Sequence, residues 1–161
     1  MKIRKAAKGD LDTLLVLWDG YEEYHWKLAK DKEMRRFLQK NKNARNNIRE
    51  YFLKHIVSKN SNIFVAAEDD NILGFISLKI IDAPSISTVS KIGHIGYFYI
   101  EKQFRGKSIG SRLMKEARRW FRAKKIKRVS FEVHPFNKRA LSYYRKLGFR
   151  EYEIIMMKDF K

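Results

Sequence analysis

Near Asn62 the spacing of apolar residues changes period, and that change limits the folds open to this chain. Before it, Leu11, Leu14, Leu15, Trp18 and Tyr21 recur every three or four positions, as the buried stripe of a helix does. Gly9 and Asp10 precede this stripe, with Asp10 a candidate N-cap, so a helix is expected to run to about Leu28. Met34, Phe37, Leu38, Ile48, Tyr51, Phe52 and Ile56 continue the period. The polar patch Asn41 to Asn47 is a place where it could divide into two helices. These aromatic stripes read as core packing. That the first two helices wall a pocket is an idea periodicity alone does not support.

After Asn62 the chain reads as strand. Ile63 to Ala67 is a short apolar run, Asp69-Asp70-Asn71 a turn and Ile72 to Ile81 a second run, together a β-hairpin. Lys2 to Ala6 is expected to be a first strand and Lys91 to Ile100 another, with the Ser- and Thr-rich loop Asp82 to Ser90 before it. A basic helix follows from about Ser108 to Lys125. Then come a strand over Arg128 to Val133, a helix over Asn137 to Leu147 and a last strand over Phe149 to Met157. The order β-α-α-β-β-β-α-β-α-β, a hairpin-rich half feeding a β-α-β-α-β half, predicts a mixed α/β sheet with helices on its faces.

Composition narrows the class. The 161 residues fit a single domain over 1–161, and 44% hydrophobic content supplies a core. The absence of cysteine excludes disulfides, cysteine zinc sites and a thiol nucleophile. His25, His55, His94 and His134 lack metal-ligand spacing, so no metal is expected. No stretch approaches the roughly 20 apolar residues of a membrane span, and Met1 to Lys8 lacks the apolar run of a signal peptide. A soluble, cytoplasmic protein without membrane contact is expected, as monomer or homodimer. The net charge of +18 points to polyanions: nucleic acid, an anionic cofactor or an acidic protein surface. A solvated basic surface that serves solubility explains it as well.

The densest signal is Gln103-Phe104-Arg105-Gly106-Lys107-Ser108-Ile109-Gly110-Ser111, which follows an apolar strand and opens a helix. The first N–H groups of a helix lack intrahelical partners and the dipole there is positive, so the junction is an anion site. Gly106 and Gly110 let a phosphate approach the main chain, and Arg105 and Lys107 add charge. A P-loop would need glycine at position 101, which is Glu101, and the G-x-G-x-x-G dinucleotide pattern is absent. A plain glycine turn before an amphipathic helix remains open. That helix has an apolar face of Ile109, Leu113, Ala117, Trp120 and Phe121. Its other face carries Arg112, Lys115, Arg118, Arg119, Arg122, Lys124 and Lys125.

Downstream, Glu132 alternates with Val129, Phe131 and Val133 and falls on the opposite strand face with Ser130 and His134. A carboxylate in a central strand is paired or used. Asn137 is a natural N-cap, Gly148 suits the left-handed end of a helix, and Asn137 and Tyr144 share a helix face.

Ile100 to Gly110, then Phe131-Glu132-Val133, then Asn137 to Phe149 resemble the GNAT N-acetyltransferase superfamily, as does the opening Ile3-Arg4-Lys5-Ala6 with Asp10 and Leu14. The resemblance is sharp from Tyr99 to Phe149 and loose between Tyr21 and Ser90. It implies a GNAT-like, mostly antiparallel sheet, acetyl-CoA as donor co-substrate and a primary amine as acceptor. The family's (Q/R)-x-x-G-x-(G/A) pattern falls on Gln103, Gly106 and Ser108, whose turn would hold the pyrophosphate from Gln103 to Ser111. Tyr99 and Ile100 would hold the acetyl and pantetheine part, and Asn137 would contact the cofactor. Tyr144 matches the tyrosine near the thioester sulfur that protonates the leaving thiolate. Ser108 departs from the family's Gly or Ala, which puts the fit of the turn in question. Direct transfer is expected, with Glu132 as general base and His94 as the other candidate.

The basic surface disfavours polyamines and cationic aminoglycosides as acceptors unless an acidic pocket intervenes. A protein N-terminus or lysine fits the charge better. The rivals are a small-molecule amine acetyltransferase, an acyl-CoA sensor without turnover, and a non-enzymatic nucleic-acid-binding protein. The last explains the charge but not the spacing of Glu132, Asn137 and Tyr144.

Overall fold

The β2–β3 hairpin forms where the apolar period changes. β2 (Ser61–Glu68) and β3 (Asn71–Asp82) pair antiparallel from Ser61 opposite Lys79 to Glu68 opposite Asn71. Asp69 takes a left-handed φ of 51° at the turn, which aspartate tolerates. The computed structural model describes residues 1–160. β1 (Lys2–Lys5) adds antiparallel to β2, and β4 (Lys91–Ile100) adds antiparallel to β3. β5 (Val129–Ser130) closes the order β1-β2-β3-β4-β5 and runs parallel to β4. Mostly antiparallel and mixed at one edge, the sheet has the expected class.

Helices cover both faces. α1 (Leu11–Leu28), α2 (Lys32–Phe37) and α3 (Ala44–Val57) precede the hairpin. The expected division falls slightly earlier than the polar patch, between Phe37 and Ala44, and Asp31 starts α2 by accepting the Met34 N–H at 2.9 Å, so three helices form in all. α1 and α3 bury Leu14, Leu17 and Phe52 on Ile63, Val65 and Phe75. The opposite face carries α4 (Ile109–Ala123), whose Leu113, Ala117 and Phe121 pack on Phe64, Ala66, Ile76 and Leu78. Each such side chain withdrawn from water contributes about 1.5–3 kcal/mol, which is why alternation along β2 and β3 is hidden: both faces are buried. α5 (Lys138–Lys146) lies beyond β5 and adds Tyr144 to the second core.

Asp10 stands at the start of α1 but makes no side-chain cap to it. Instead it accepts both Arg4 guanidinium nitrogens, at 2.6 and 2.8 Å, and the Ala7 N–H at 2.7 Å, so it fastens β1 to the first helix.

Two strand expectations are corrected. Val129 and Ser130 alone form β5, rather than Arg128 to Val133, and Phe149 to Met157 forms no strand. A strand exists only against a partner edge, and β5 offers two ladder positions, Gly93 opposite Val129 and His94 opposite Ser130. Tyr152, Ile154, Ile155, Met156 and Met157 are therefore exposed.

Candidate active site

The geometry of the site starts from a bulge. β3 and β4 pair in register up to Leu78 opposite Ile95, then shift, so that Ile76 lies opposite Phe98. Ser77 absorbs the shift: its hydroxyl, fully buried, accepts the Tyr97 N–H at 2.8 Å and meets the Tyr51 hydroxyl at 3.1 Å. A bulge bends the strand that carries it. β4 pairs with β5 only as far as His94 and runs on to Ile100 paired with β3 alone, which opens a cleft between β4 and the segment after β5.

One wall of this cleft is aromatic and comes from α1. Tyr21 packs edge-on against Tyr97 (5.3 Å between ring centres) and Tyr99 (6.4 Å), and His25 lies 5.2 Å from the ring of His134. Tyr21 closes the stripe that the sequence assigns to the core, and Tyr24 and His25 continue its helical face one turn further. The opposite wall comes from α5, where Tyr144 packs on Phe131 at 4.1 Å with Phe98 beyond.

Glu132 does not sit in a strand. It lies just past β5, its side chain 70% exposed, with Oε2 3.5 Å from Nε2 of His94. The expected burial of this carboxylate in the sheet is thus replaced by a solvated carboxylate at the cleft beside a largely buried imidazole. Burial holds the His94 imidazole below its ordinary pKa, although Glu132 pulls the other way. Burial also raises the Tyr144 phenol, so its proton stays on at neutral pH. Tyr21 is raised in the same way, with Glu22, Tyr97, Tyr144 and Glu132 adding to the effect, which puts Glu132 and Tyr144 in one electrostatic neighbourhood.

Asn137 caps α5 as the sequence suggested: Oδ1 accepts the Ala140 N–H at 3.2 Å. His25 Nδ1 lies 2.9 Å from the Tyr21 carbonyl and donates to it, which leaves Nε2 as an acceptor 3.4 Å from the Asn137 amide nitrogen. Both ends of the buried Asn137 amide are engaged, and α5 is thereby tied to α1 across the cleft.

The turn from Gln103 to Ser111 lies beyond the free end of β4. Gly106 and Ser108 both take positive φ, 84° and 59°. No hydrogen-bond acceptor meets the backbone N–H groups from Gly106 to Ser111 among the described residues, and the Ser108 carbonyl accepts the first bond of α4, from Arg112. The first turn of α4 carries no acidic residue and its N-cap makes no side-chain bond. A run of unpaired amides at a positive helix end, without a carboxylate to fill it, suits a pyrophosphate. Ser108 keeps its hydroxyl exposed, so the departure at this position costs backbone strain of about 1–2 kcal/mol and not space.

The cationic side chains of the turn divide. Lys107 is exposed, with Nζ 5.5 Å from the Phe104 ring, while Gln103 donates to Glu101 at 2.6 Å. Arg105 folds inward: Nε donates to the Ile100 carbonyl at 2.8 Å, and the guanidinium lies over Tyr24 at 4.2 Å and Tyr99 at 5.4 Å. It ties the turn to α1. Close to the turn, the Tyr143 hydroxyl is buried without a partner among the described residues, and a methyl placed on Gly110 would lie 3.6 Å from it. Sequence reasoning passed over Tyr143 in favour of its neighbour; adjacent tyrosines on one helix point about 100° apart, so only the packing shows which wall each one joins.

The model of the acetyltransferase (GNAT) family matches residues 18–149. The chain belongs to the GNAT family. An uncharacterised N-acetyltransferase of Methanocaldococcus jannaschii is 27% identical over 160 residues, which are 95% of this chain and 62% of that protein. An N-alpha-acetyltransferase of Sulfurisphaera tokodaii is 26% identical over 110 residues, 65% of this chain and 66% of that protein. The chain thus spans under two thirds of the length of either relative. In fold it resembles the aminoglycoside 6'-N-acetyltransferase of Acinetobacter haemolyticus, with a TM-score of 0.73 at 17% identity over 100% of this chain and 99% of that one. Among the described residues no helix is long and apolar enough to cross a membrane, and no group of three His, Asp or Glu is placed to hold a metal.

The histidines of this GNAT domain predict its acid stability. Burial depresses all four, His25, His55, His94 and His134. The unfolded imidazoles take protons near their ordinary value of 6.5, which the folded ones resist. Below that pH the unfolded state binds more protons, so stability falls as pH drops. Thermal unfolding from pH 8 to 5 is expected to show a flat Tm above about pH 7 and a steady decline below it. A Tm that rises on acidification would refute this reading of the four rings.

Proposed function

We propose that this GNAT domain is an acyl-CoA-dependent N-acetyltransferase that transfers acetyl directly from acetyl-CoA to a primary amine. The run of unpaired amides from Gly106 to Ser111 beside the splayed end of β4 carries the proposal. Acetyl-CoA supplies the thioester carbonyl and the thiol leaving group. The amides of the turn bind its pyrophosphate, with Lys107 adding charge and Gln103, Ile109, Gly110 and Ser111 completing the cradle. Tyr99 and Ile100, on the stretch of β4 that has β3 but not β5 as a partner, lie along the pantetheine and acetyl part, where backbone N–H groups polarise a carbonyl oxygen. Glu132 takes the proton of the incoming amine, directly or through water, with His94 held beside it. Tyr144 keeps its proton for the departing sulfur. Asn137 holds the α5 wall in place through His25.

The acceptor is a protein or peptide N-terminus. The N-alpha-acetyltransferase relative and the excess of basic surface over acidic surface support it. A second reading has its own observation. A groove of about 440 Å³ beside the aromatic wall is lined by Glu22, Glu23, Trp26, Leu38, Gln39 and Lys40, which is the acidic pocket a cationic small amine would need. Glu22 and Glu23 are already paired with Lys40 and Lys27, however, at 3.1 and 2.6 Å.

A CoA-release assay across peptides with free N-termini, N-blocked lysine peptides, polyamines and aminoglycosides decides between them. Free N-termini are expected to turn over fastest. Turnover of polyamines or aminoglycosides alone would transfer the proposal to the acidic groove, and CoA binding without release for any amine would leave a sensor. In the same assay Tyr144→Phe is expected to lower kcat by about 10-fold or more with KM for acetyl-CoA little changed, because a general acid acts in the transition state.

A further inference from the structure

The positive charge is concentrated in one part of the chain. Residues 102–150 contain 17 of the 36 Lys and Arg but two acids, Glu116 and Glu132, which leaves 19 basic and 16 acidic residues elsewhere. At the C-terminal end of α4 and just after it, Arg118, Arg122, Lys124, Lys125, Lys127 and Arg128 are all exposed. None is in an ion pair among the described residues; the pairs of this region are Arg119 with Glu116 and Arg145 with Glu151. Sixteen residues of helical rise put Lys124 about 24 Å along α4 from Ser108, well away from the amides that suit a pyrophosphate.

Under this end of α4 lies a cavity of about 350 Å³ lined by Trp120 from α4, Lys124 just after it, Lys5 from β1, Asn62 from β2 and Lys59 shortly before β2. Asn62 is only 7% exposed and lines this cavity. Three lysines, an amide and an indole line one cavity and supply what a phosphodiester and its base require: charge, a hydrogen-bond donor and an aromatic surface. A protein partner would need an apolar centre to its interface, and none of the large exposed apolar side chains lies on α4.

We propose that the C-terminal end of α4, together with the cavity between Trp120, Asn62, Lys5 and Lys59, is a nucleic-acid-binding surface separate from the acetyl-transfer cleft. Its cations meet the phosphodiester backbone, and the cavity takes a phosphate or an unstacked base. The proposal is independent of the identity of the amine acceptor.

Fluorescence anisotropy with a fluorescein-labelled single-stranded RNA, and with a duplex DNA in a parallel arm, tests it over a range of salt. Wild-type protein is expected to bind with a steep salt dependence. The triple variant R122E/K124E/K127E should bind more than about tenfold more weakly, with the salt slope reduced by about 2–3. The triple K30E/K32E/K42E makes the same change in net charge on the nearly neutral part of the chain and should bind within about twofold of wild type. Asn62→Asp, almost unchanged in shape, should weaken binding through the cavity alone. Circular dichroism and stabilisation by CoA, equal to wild type in each variant, show that the fold is intact. RNA favoured over duplex DNA assigns a single strand, and the reverse assigns a duplex. Equal losses in both triples, displacement of the nucleic acid by acetyl-CoA, equal competition by polyglutamate, or no binding would each overturn the proposal.

Discussion

Glu132→Gln is expected to lower kcat by about 10²–10⁴-fold at neutral pH, the range over which a positioned general base acts. Three observations set that size. The carboxylate stands at the mouth of the cleft with its side chain 70% exposed, where an incoming amine reaches it without a desolvation cost. Its neighbour His94 is largely buried and depressed in pKa, so at neutral pH it is uncharged and does not neutralise the carboxylate. Glutamine keeps the shape and the contact at 3.5 Å but cannot accept the amine proton. Because the loss belongs to the transition state, kcat and kcat/KM should fall together, and CoA should still stabilise the variant against heat. His94→Gln separates the two candidates. If it abolishes turnover while Glu132→Gln retains more than about a tenth of it, the base is the imidazole.

Gly106→Val should weaken CoA binding by about 5- to 30-fold. The residue has φ of 84°, a region where a β-branched side chain is an outlier, although nothing lies within 4 Å of the added carbon. The penalty is therefore one of backbone conformation, about 1–2 kcal/mol or more. The turn can relieve it only by rotating its amides out of register. At a concentration of 100 wild-type Kd, CoA is expected to stabilise the wild-type protein by about 2.7 kcal/mol and Gly106→Val by only about 1–2 kcal/mol. Ser108→Gly, which relieves the left-handed strain at φ of 59°, should bind CoA at least as well as wild type. Equal thermal shifts for wild type and Gly106→Val would mean that CoA does not use these amides.

Much of the site was legible because its signals are local. A turn that needs positive φ must carry glycine or a tolerant residue, and a helix start must be capped, so Gly106, Asn137 and Gly148 could be placed from neighbours alone. Glu132 was placed on a strand because Val129, Phe131 and Val133 alternate around it, yet β5 stops at Ser130. Alternation reports which side chains are apolar, and a ladder requires an edge to pair with. The same limit explains Phe149 to Met157, whose apolar residues meet no partner strand and lie exposed. Arg105 was assigned to phosphate on charge, and the structure seats it on Tyr24, 81 positions earlier in the chain.

The sequence by itself determined the class of the sheet, the glycine turn that opens α4 and the identity of the polar groups around it, since each depends on a few residues in succession. Only the tertiary structure decided where β4 leaves β5, which opens the cleft, and where β4 bulges against β3, with Ser77 satisfying an amide twenty residues away. It also decided that Tyr21 and His25 form a wall opposite Tyr144, and that the charge of α4 ends over a cavity closed by β1 and β2. Contacts between distant residues form because packing and hydrogen bonding repay the loss of chain entropy together, and no local pattern carries the sum.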